Sequence, residues 1–151
     1  QSQSLKGLGA LSLHNCANLS TKTLNAMYDA NVGTCLGVLD LTGVSSLNDD
    51  MFVGIVEHCP LIQRLSVKNC RKITNRSLRR LEQGLQHLTA IDVGGCFNLL
   101  PADIVQLASN SNTPLSEIHA SGLQWTDSSL HSLLHLYQSN NSNSNNNSHH
   151  R

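Results

Sequence analysis

Apolar residues return at regular intervals along this chain, and the intervals have two different spacings. Five windows of nine residues align without gaps, and in each one polar residue separates the apolar residues at the fourth and sixth positions. An alternation of this kind predicts a short strand with one buried face in every window. The windows are LGALSLHNC from Leu8, LGVLDLTGV from Leu36, IQRLSVKNC from Ile62, LTAIDVGGC from Leu88 and LSEIHASGL from Leu115.

A second pattern, with apolar residues three and four positions apart, follows each window. After the third window, Thr74 and Asn75 precede Leu78, Leu81 and Leu85. A short polar side chain directly before apolar residues at this spacing predicts the start of a helix with one apolar face. Equivalent helix starts are predicted near Ser20, Asn48, Pro101 and Thr126.

The strand and helix patterns recur together as one unit. The windows begin near residues 8, 36, 62, 88 and 115, so the unit repeats every 26 to 28 residues. This period and the LxxLxL pattern indicate a leucine-rich repeat solenoid. We predict an α/β horseshoe of about five repeats over residues 1–137, with parallel strands on the concave side and helices on the convex side.

The last part of the chain departs from this pattern. Trp125 replaces an aliphatic residue in the fifth repeat, where we expect it to cap the final core layer and to hydrogen-bond through its indole N–H. From Gln138 onward the sequence is QSNNSNSNNNSHHR, which has no apolar residue to offset the entropy of ordering. We therefore predict a disordered tail over residues 138–151.

The third repeat has the most complete motif. Residues 62–81, IQRLSVKNCRKITNRSLRRL, fit LxxLxLxxCxxITxxxL, and Cys59-Pro60 ends the preceding helix. This motif resembles the cysteine-containing leucine-rich repeats of F-box/LRR proteins, the substrate-recognition subunits of SCF-type ubiquitin ligases. The resemblance covers about residues 5–137. Val44 and Leu123 stand where the family has Cys, and these 151 residues contain no F-box. The resemblance implies an SCF adaptor bound through an upstream segment.

Cys16, Cys70 and Cys96 occupy the same position in their repeats. We predict that their thiols stack under successive turns and satisfy buried backbone groups there. Reduced thiols favour an intracellular location, in the cytoplasm or nucleus with an organelle left open. Because CxxC spacing and clustered His are missing, we expect no metal and no other cofactor, and we interpret His131 and His135 as surface residues.

Polar residues between the buried strand positions are expected to line the concave wall, the surface with which solenoids bind extended partners. The wall offers no cleft and no third group to orient a catalytic pair, so we predict no enzymatic activity. The predicted partner-binding residues of the wall are Ser12, His14, Asp40, Thr42, Arg64, Ser66, Lys68, Asp92 and His119.

Positive charge is concentrated in the third repeat. One interpretation is a patch that binds phosphate, an acidic peptide or nucleic acid. The other, which we favour, is a solvated helix face that balances the acidic second repeat. The absence of interleaved aromatic residues and the zero net charge disfavour nucleic acid, and no apolar run is long enough to span a membrane. The patch consists of Arg71, Lys72, Arg76, Arg79 and Arg80.

Two functional hypotheses follow from these patterns. The first is a protein-interaction module with a protein partner on the concave or basic surface. By resemblance, this module is the substrate-recognition region of an F-box/LRR-type SCF ubiquitin-ligase subunit. The alternative is a non-catalytic structural or assembly subunit of a large multiprotein complex.

Overall fold

The computed structural model describes residues 7–110 and 112–145, with the side chains of the last helix described as far as Ser139. Strands and α-helices alternate along the chain as predicted, and one 3₁₀ helix covers Val32–Cys35. The elements are β1 (Ala10–Ser12), α1 (Thr21–Asp29), β2 (Val38–Asp40), α2 (Asp49–His58), β3 (Arg64–Ser66), α3 (Asn75–Gly84), β4 (Ala90–Asp92), α4 (Pro101–Ser109), β5 (Glu117–His119) and α5 (Asp127–Asn145).

The five strands form one parallel sheet in the order β1-β2-β3-β4-β5. The central apolar residue of each strand lies beside its equivalent in the next strand, so the apolar residues form a continuous row under the sheet. Leu39, Leu65 and Ile91 are buried, whereas the two end members of the row, Leu11 and Ile118, are half-buried. The predicted leucine-rich repeat solenoid is confirmed.

Short polar side chains cap four of the helix starts where the sequence placed them. Ser20 accepts from the N–H of Thr23, Asn48 from that of Met51, Thr74 from that of Arg76, and Thr126 from that of Ser129. These bonds satisfy N–H groups that have no partner inside the helix. The fourth helix differs, because Leu100 occupies the capping position of α4 and accepts no hydrogen bond there.

The cysteine ladder is shorter than predicted. Cys70 Sγ donates to Leu41 O at 3.2 Å, and Cys96 Sγ donates to Val67 O at 3.1 Å, both in the core. Each thiol thus binds a carbonyl of the preceding repeat. Cys16 is exposed, because no earlier repeat among the described residues supplies that carbonyl. Burial raises the pKa of Cys70 to about 11 and that of Cys96 to about 12, so both thiols remain protonated donors.

Trp125 closes the last core layer in the predicted way. Its Nε1–H donates to Ala120 O at 3.0 Å, and its ring packs against the core. The apolar side chains of α5 divide between two faces. Leu133 is half-buried, whereas Leu130, Leu134 and Tyr137 are exposed, because no further helix of the described chain covers that face.

The last helix continues past the predicted end of the repeats. The sequence placed a disordered tail from residue 138, whereas α5 extends to Asn145. Residues 146–151 lie outside the described part of the chain, and disorder there stays a prediction. Every helix within the described residues is too short or too polar to span a bilayer.

Candidate functional site

The predicted concave-wall residues come together on one open face. The strand register places Ser12, Asp40, Ser66, Asp92 and His119 in a single row across the sheet. A second row lies two residues beyond the end of each strand. Its members are held side by side because backbone N–H groups in the turn of one repeat donate to Thr42 O, Lys68 O or Gly94 O of the next repeat. The wall holds a shallow depression of about 240 Å³ between its second and fifth strands.

On the β1 side of this wall, Asp40 accepts hydrogen bonds from its neighbours. Its carboxylate accepts from Ser12 Oγ at 3.0 Å and from the N–H of Thr42 at 2.9 Å. Thr42 Oγ1 in turn lies 2.7 Å from Ser66 Oγ. Partial burial raises the pKa of Asp40, but the hydrogen bonds from Thr42 and Ser12 outweigh it and hold the pKa below its ordinary value. Asp40 is therefore an oriented anion.

On the β5 side of the wall, Arg64 and His119 both contact Glu117. Arg64 Nη2 lies 3.1 Å from Glu117 Oε2, and it reaches across β4 over the short side chain of Ala90. Glu117 Oε1 is also 2.7 Å from His119 Nε2. Hydrogen bonds from His119 and Arg64 lower the pKa of Glu117. Glu117 was missed as a site residue, although its place in the row beside Arg64 and Ala90 follows from the aligned windows.

The residues of the predicted basic patch have different partners. Arg76 Nη2 lies 3.0 Å from Asp50 Oδ1, and Arg80 Nη2 lies 2.8 Å from Glu57 Oε1. These exposed pairs link α3 to α2, which supports the interpretation that the third repeat balances the acidic second repeat. Arg71 instead lies on the preceding turn, with its guanidinium 5.6 Å from the centre of the Phe97 ring.

An apolar groove beside that turn was missed by the sequence analysis. It lies between the loops of the fourth and fifth repeats and has a volume of about 470 Å³. Phe97 and Leu100 are 60% and 62% exposed beside it. The signal was present in the aligned repeats, because both are large apolar residues at positions that are polar or small elsewhere. The groove is lined by Phe97, Leu100, Pro101, Gly122, Leu123 and Ser129, among others.

Metal-binding geometry is missing from the part of the chain that the structure describes. There, no three His, Cys, Asp or Glu side chains are placed to hold one ion. His131 and His135 line a shallow depression between α4 and α5 together with Val105. The expectation that the chain has no enzymatic activity stays a prediction.

Solved structures with similar folds were found, although no family model matches the sequence. The tropomodulin C-terminal domain of Caenorhabditis elegans superimposes with a TM-score of 0.66 at 14% identity, over 94% of this chain and 89% of that one. Actin-Binding Site 2 of leiomodin-1 gives 0.62 at 14%, over 92% and 84%. A chain of the yeast Rad7 and Elc1 complex gives 0.60 at 22%, over 77% of this chain and 33% of that one. These similarities support the solenoid fold.

Proposed function

We propose that this chain is a protein-interaction module that binds a protein partner on its concave wall. The supporting observation is the uninterrupted parallel register of five strands, which presents a row of polar side chains from Ser12 to His119 on one open face. Solenoids use such a curved face to bind extended partners. An oriented charge such as that of Asp40 favours selection of a partner with complementary charge.

The finer proposal is the substrate-recognition region of an F-box/LRR-type SCF ubiquitin-ligase subunit. It is supported by the cysteine motif of the third repeat and by the two buried thiols that join successive repeats, Cys70 and Cys96. The adaptor would bind an F-box outside these 151 residues. Of the similar solved structures, one is an actin-binding site of leiomodin-1 and another is a complex of Rad7 with Elc1.

The test uses the full-length natural protein, purified from its own cells with the proteins bound to it. The wild-type protein is expected to bring down an SCF adaptor together with a substrate. A variant with Asp40→Ala and Arg64→Glu is expected to keep the adaptor and lose the substrate, since only the wall is altered. Recovery without any adaptor contradicts the ligase proposal, and substrate binding unchanged by the variant contradicts the role of the wall.

The second candidate is a structural subunit of a large assembly. One observation favours it, namely that Arg64, Glu117 and His119 are already paired with one another, which reduces the charge available to a transient partner. Native mass measurement of the endogenous protein separates the two candidates. A fixed assembly of constant stoichiometry supports the structural subunit, whereas a substrate present in substoichiometric amounts supports the recognition module.

A further inference from the structure

The start of α4, which lies beside the apolar groove, lacks the side-chain cap that the other helix starts have. Ser20, Asn48 and Thr74 each accept a backbone N–H at the start of their helix. At the equivalent position of α4 stands Leu100, which has no hydrogen-bonding atom in its side chain and is mostly exposed. Only the reciprocal bond exists there, from the N–H of Leu100 to Asp103 Oδ2 at 2.9 Å. Leu100 supplies no cap at this position, and its apolar side chain is 62% exposed.

Phe97 is a second exception in the same loop. It follows Cys96, and the equivalent positions in the other repeats carry Ala17, Ser45, Arg71 and Gln124. Phe97 is largely exposed, as Leu100 is. Two large exposed apolar side chains within four residues, beside one groove, are not explained by stability. Positions that break the local rules of a fold without a stabilising gain are typical of binding sites.

The neighbouring turn of the third repeat supplies a positive charge at the rim. Asn98 Nδ2 donates to Arg71 O at 2.7 Å, which holds the two turns together, and the guanidinium of Arg71 lies over the Phe97 ring. Within the described residues, Arg71 and the adjacent Lys72 form no ion pair, in contrast to Arg64, Arg76 and Arg80. The rim of the groove therefore offers a positive charge that the fold leaves uncompensated.

We propose that the apolar groove binds an extended segment of a partner protein in which a bulky apolar residue stands next to Asp or Glu. A volume of about 470 Å³ accommodates such a side chain between Phe97, Leu100 and Leu123. The carboxylate pairs with Arg71, whose planar guanidinium stays stacked on Phe97. The site lies outside the concave wall, so it adds a second contact to the partner bound there or to another protein.

A protein segment fits this surface better than a single-stranded nucleic acid. One face of the Phe97 ring is covered by Arg71, and Gly122 lies against the ring edge, where a Cβ would be 3.8 Å from Cε1. Base stacking on that aromatic ring is therefore restricted. A phosphate backbone also needs a continuous track of free basic side chains, whereas Arg76 and Arg80 are engaged by Asp50 and Glu57.

The experiment selects random phage-displayed peptides on the wild-type protein and measures the enriched sequences as fluorescein-labelled synthetic peptides by fluorescence polarisation. Enriched peptides are expected to share a bulky apolar residue adjacent to Asp or Glu. The variant Leu100→Ser should weaken their binding by at least about tenfold, because it removes an apolar wall of the groove. It also introduces the residue type that caps α1, so its melting temperature should not fall below that of the wild type.

Two further variants separate the charge from the apolar contact. Arg71→Glu is expected to weaken binding at least about tenfold, and a peptide with Lys in place of its acidic residue should recover the affinity for this variant. Leu61→Ser, which changes an exposed leucine outside both the groove and the concave wall, is the matched control and should leave the affinity unchanged. The proposal is overturned by panning without enrichment, by equal binding to Leu100→Ser, or by a thymidine or uridine oligonucleotide that displaces the peptides.

Discussion

The third and fourth repeats begin their helices in opposite ways. At the start of α3, Asp49 of the preceding helix accepts from the N–H of Thr74 at 2.9 Å, from Thr74 Oγ1 at 2.7 Å and from Ser77 Oγ at 2.6 Å. Ser77 is fully buried, so its hydroxyl depends on this carboxylate. At the start of α4, Leu100 is exposed and nothing comparable joins α3 to it.

This difference shows what the fold requires at a helix start and what it merely permits. The same backbone position is hydrogen-bonded to its neighbour in one repeat and left apolar in the next, yet the strands remain in register across both. Stability therefore does not demand Leu100. The middle of the solenoid is organised for cohesion between repeats, whereas five of the seven large apolar side chains exposed among the described residues lie in its last two repeats.

The largest expected effect compares equivalent leucines in the third and fifth repeats. Leu78 and Leu130 both lie four residues after their capping Thr, but Leu78 is 2% exposed and Leu130 is 47% exposed. Leu78→Ala should lower the free energy of unfolding by about 2–5 kcal/mol, because it leaves a cavity. Leu130→Ala should lower it by less than about 1 kcal/mol. Urea unfolding followed by circular dichroism measures both, and equal losses would refute the difference in packing.

The next effect concerns the carboxylate that joins the second and third repeats. Asp49→Ala should lower the free energy of unfolding by about 2–3 kcal/mol, because the buried Ser77 hydroxyl and the Thr74 N–H both lose a charged acceptor. Asp50→Ala is the matched control on the adjacent residue. Its pair with Arg76 is solvent-exposed, so a loss below about 0.5 kcal/mol is expected. A similar loss in both variants would mean that Asp49 acts only as a surface charge.

The periodicity of the sequence predicted the structural features that all repeats have in common. Spacing alone predicts the buried row through Leu39, Leu65 and Ile91, because each repeat packs against equivalent neighbours. It also predicts the helix caps at Asn48 and Thr74. The exposed Cys16 did not follow, since its burial depends on a repeat before it. The polar wall residues were placed correctly on one face, but their function as partner-binding residues stays a prediction.

The groove escaped prediction for a related reason. A pattern of repeats shows where positions agree, whereas the groove arises where the fourth repeat disagrees with the others at Phe97 and Leu100. The basic patch was grouped by proximity in sequence, whereas its arginines have different partners in the structure. Arg76 and Arg80 face the acidic second repeat, whereas Arg71 lies on the turn beside Phe97. Side-chain partners across repeats, which spacing cannot specify, decide these roles.

A smaller effect is the acid sensitivity of the bonded helix start. Partial burial raises the pKa of Asp49, but hydrogen bonds from Ser77 and Thr74 outweigh it, so the pKa lies below its ordinary value. The ionised form therefore stabilises the fold above the unfolded pKa of about 4, and this contribution disappears as the pH falls through the lowered folded pKa. Asp49→Asn should flatten the acid limb of a plot of the urea midpoint against pH. An acid limb that Asp49→Asn leaves unchanged would contradict this contribution.

The smallest expected effect is a gain at the other helix start. Leu100→Ser gives α4 the type of cap that Ser20 gives α1, and should raise the free energy of unfolding by about 0.5–1 kcal/mol. The reciprocal change Thr74→Leu should lower it by about 1–2 kcal/mol, because Arg76 N loses its acceptor and Asp49 loses one of its donors. Thermal unfolding of the two variants measures both shifts. If Leu100→Ser destabilises the protein, Leu100 has a packing role in the folded chain, and its exposure no longer argues for binding.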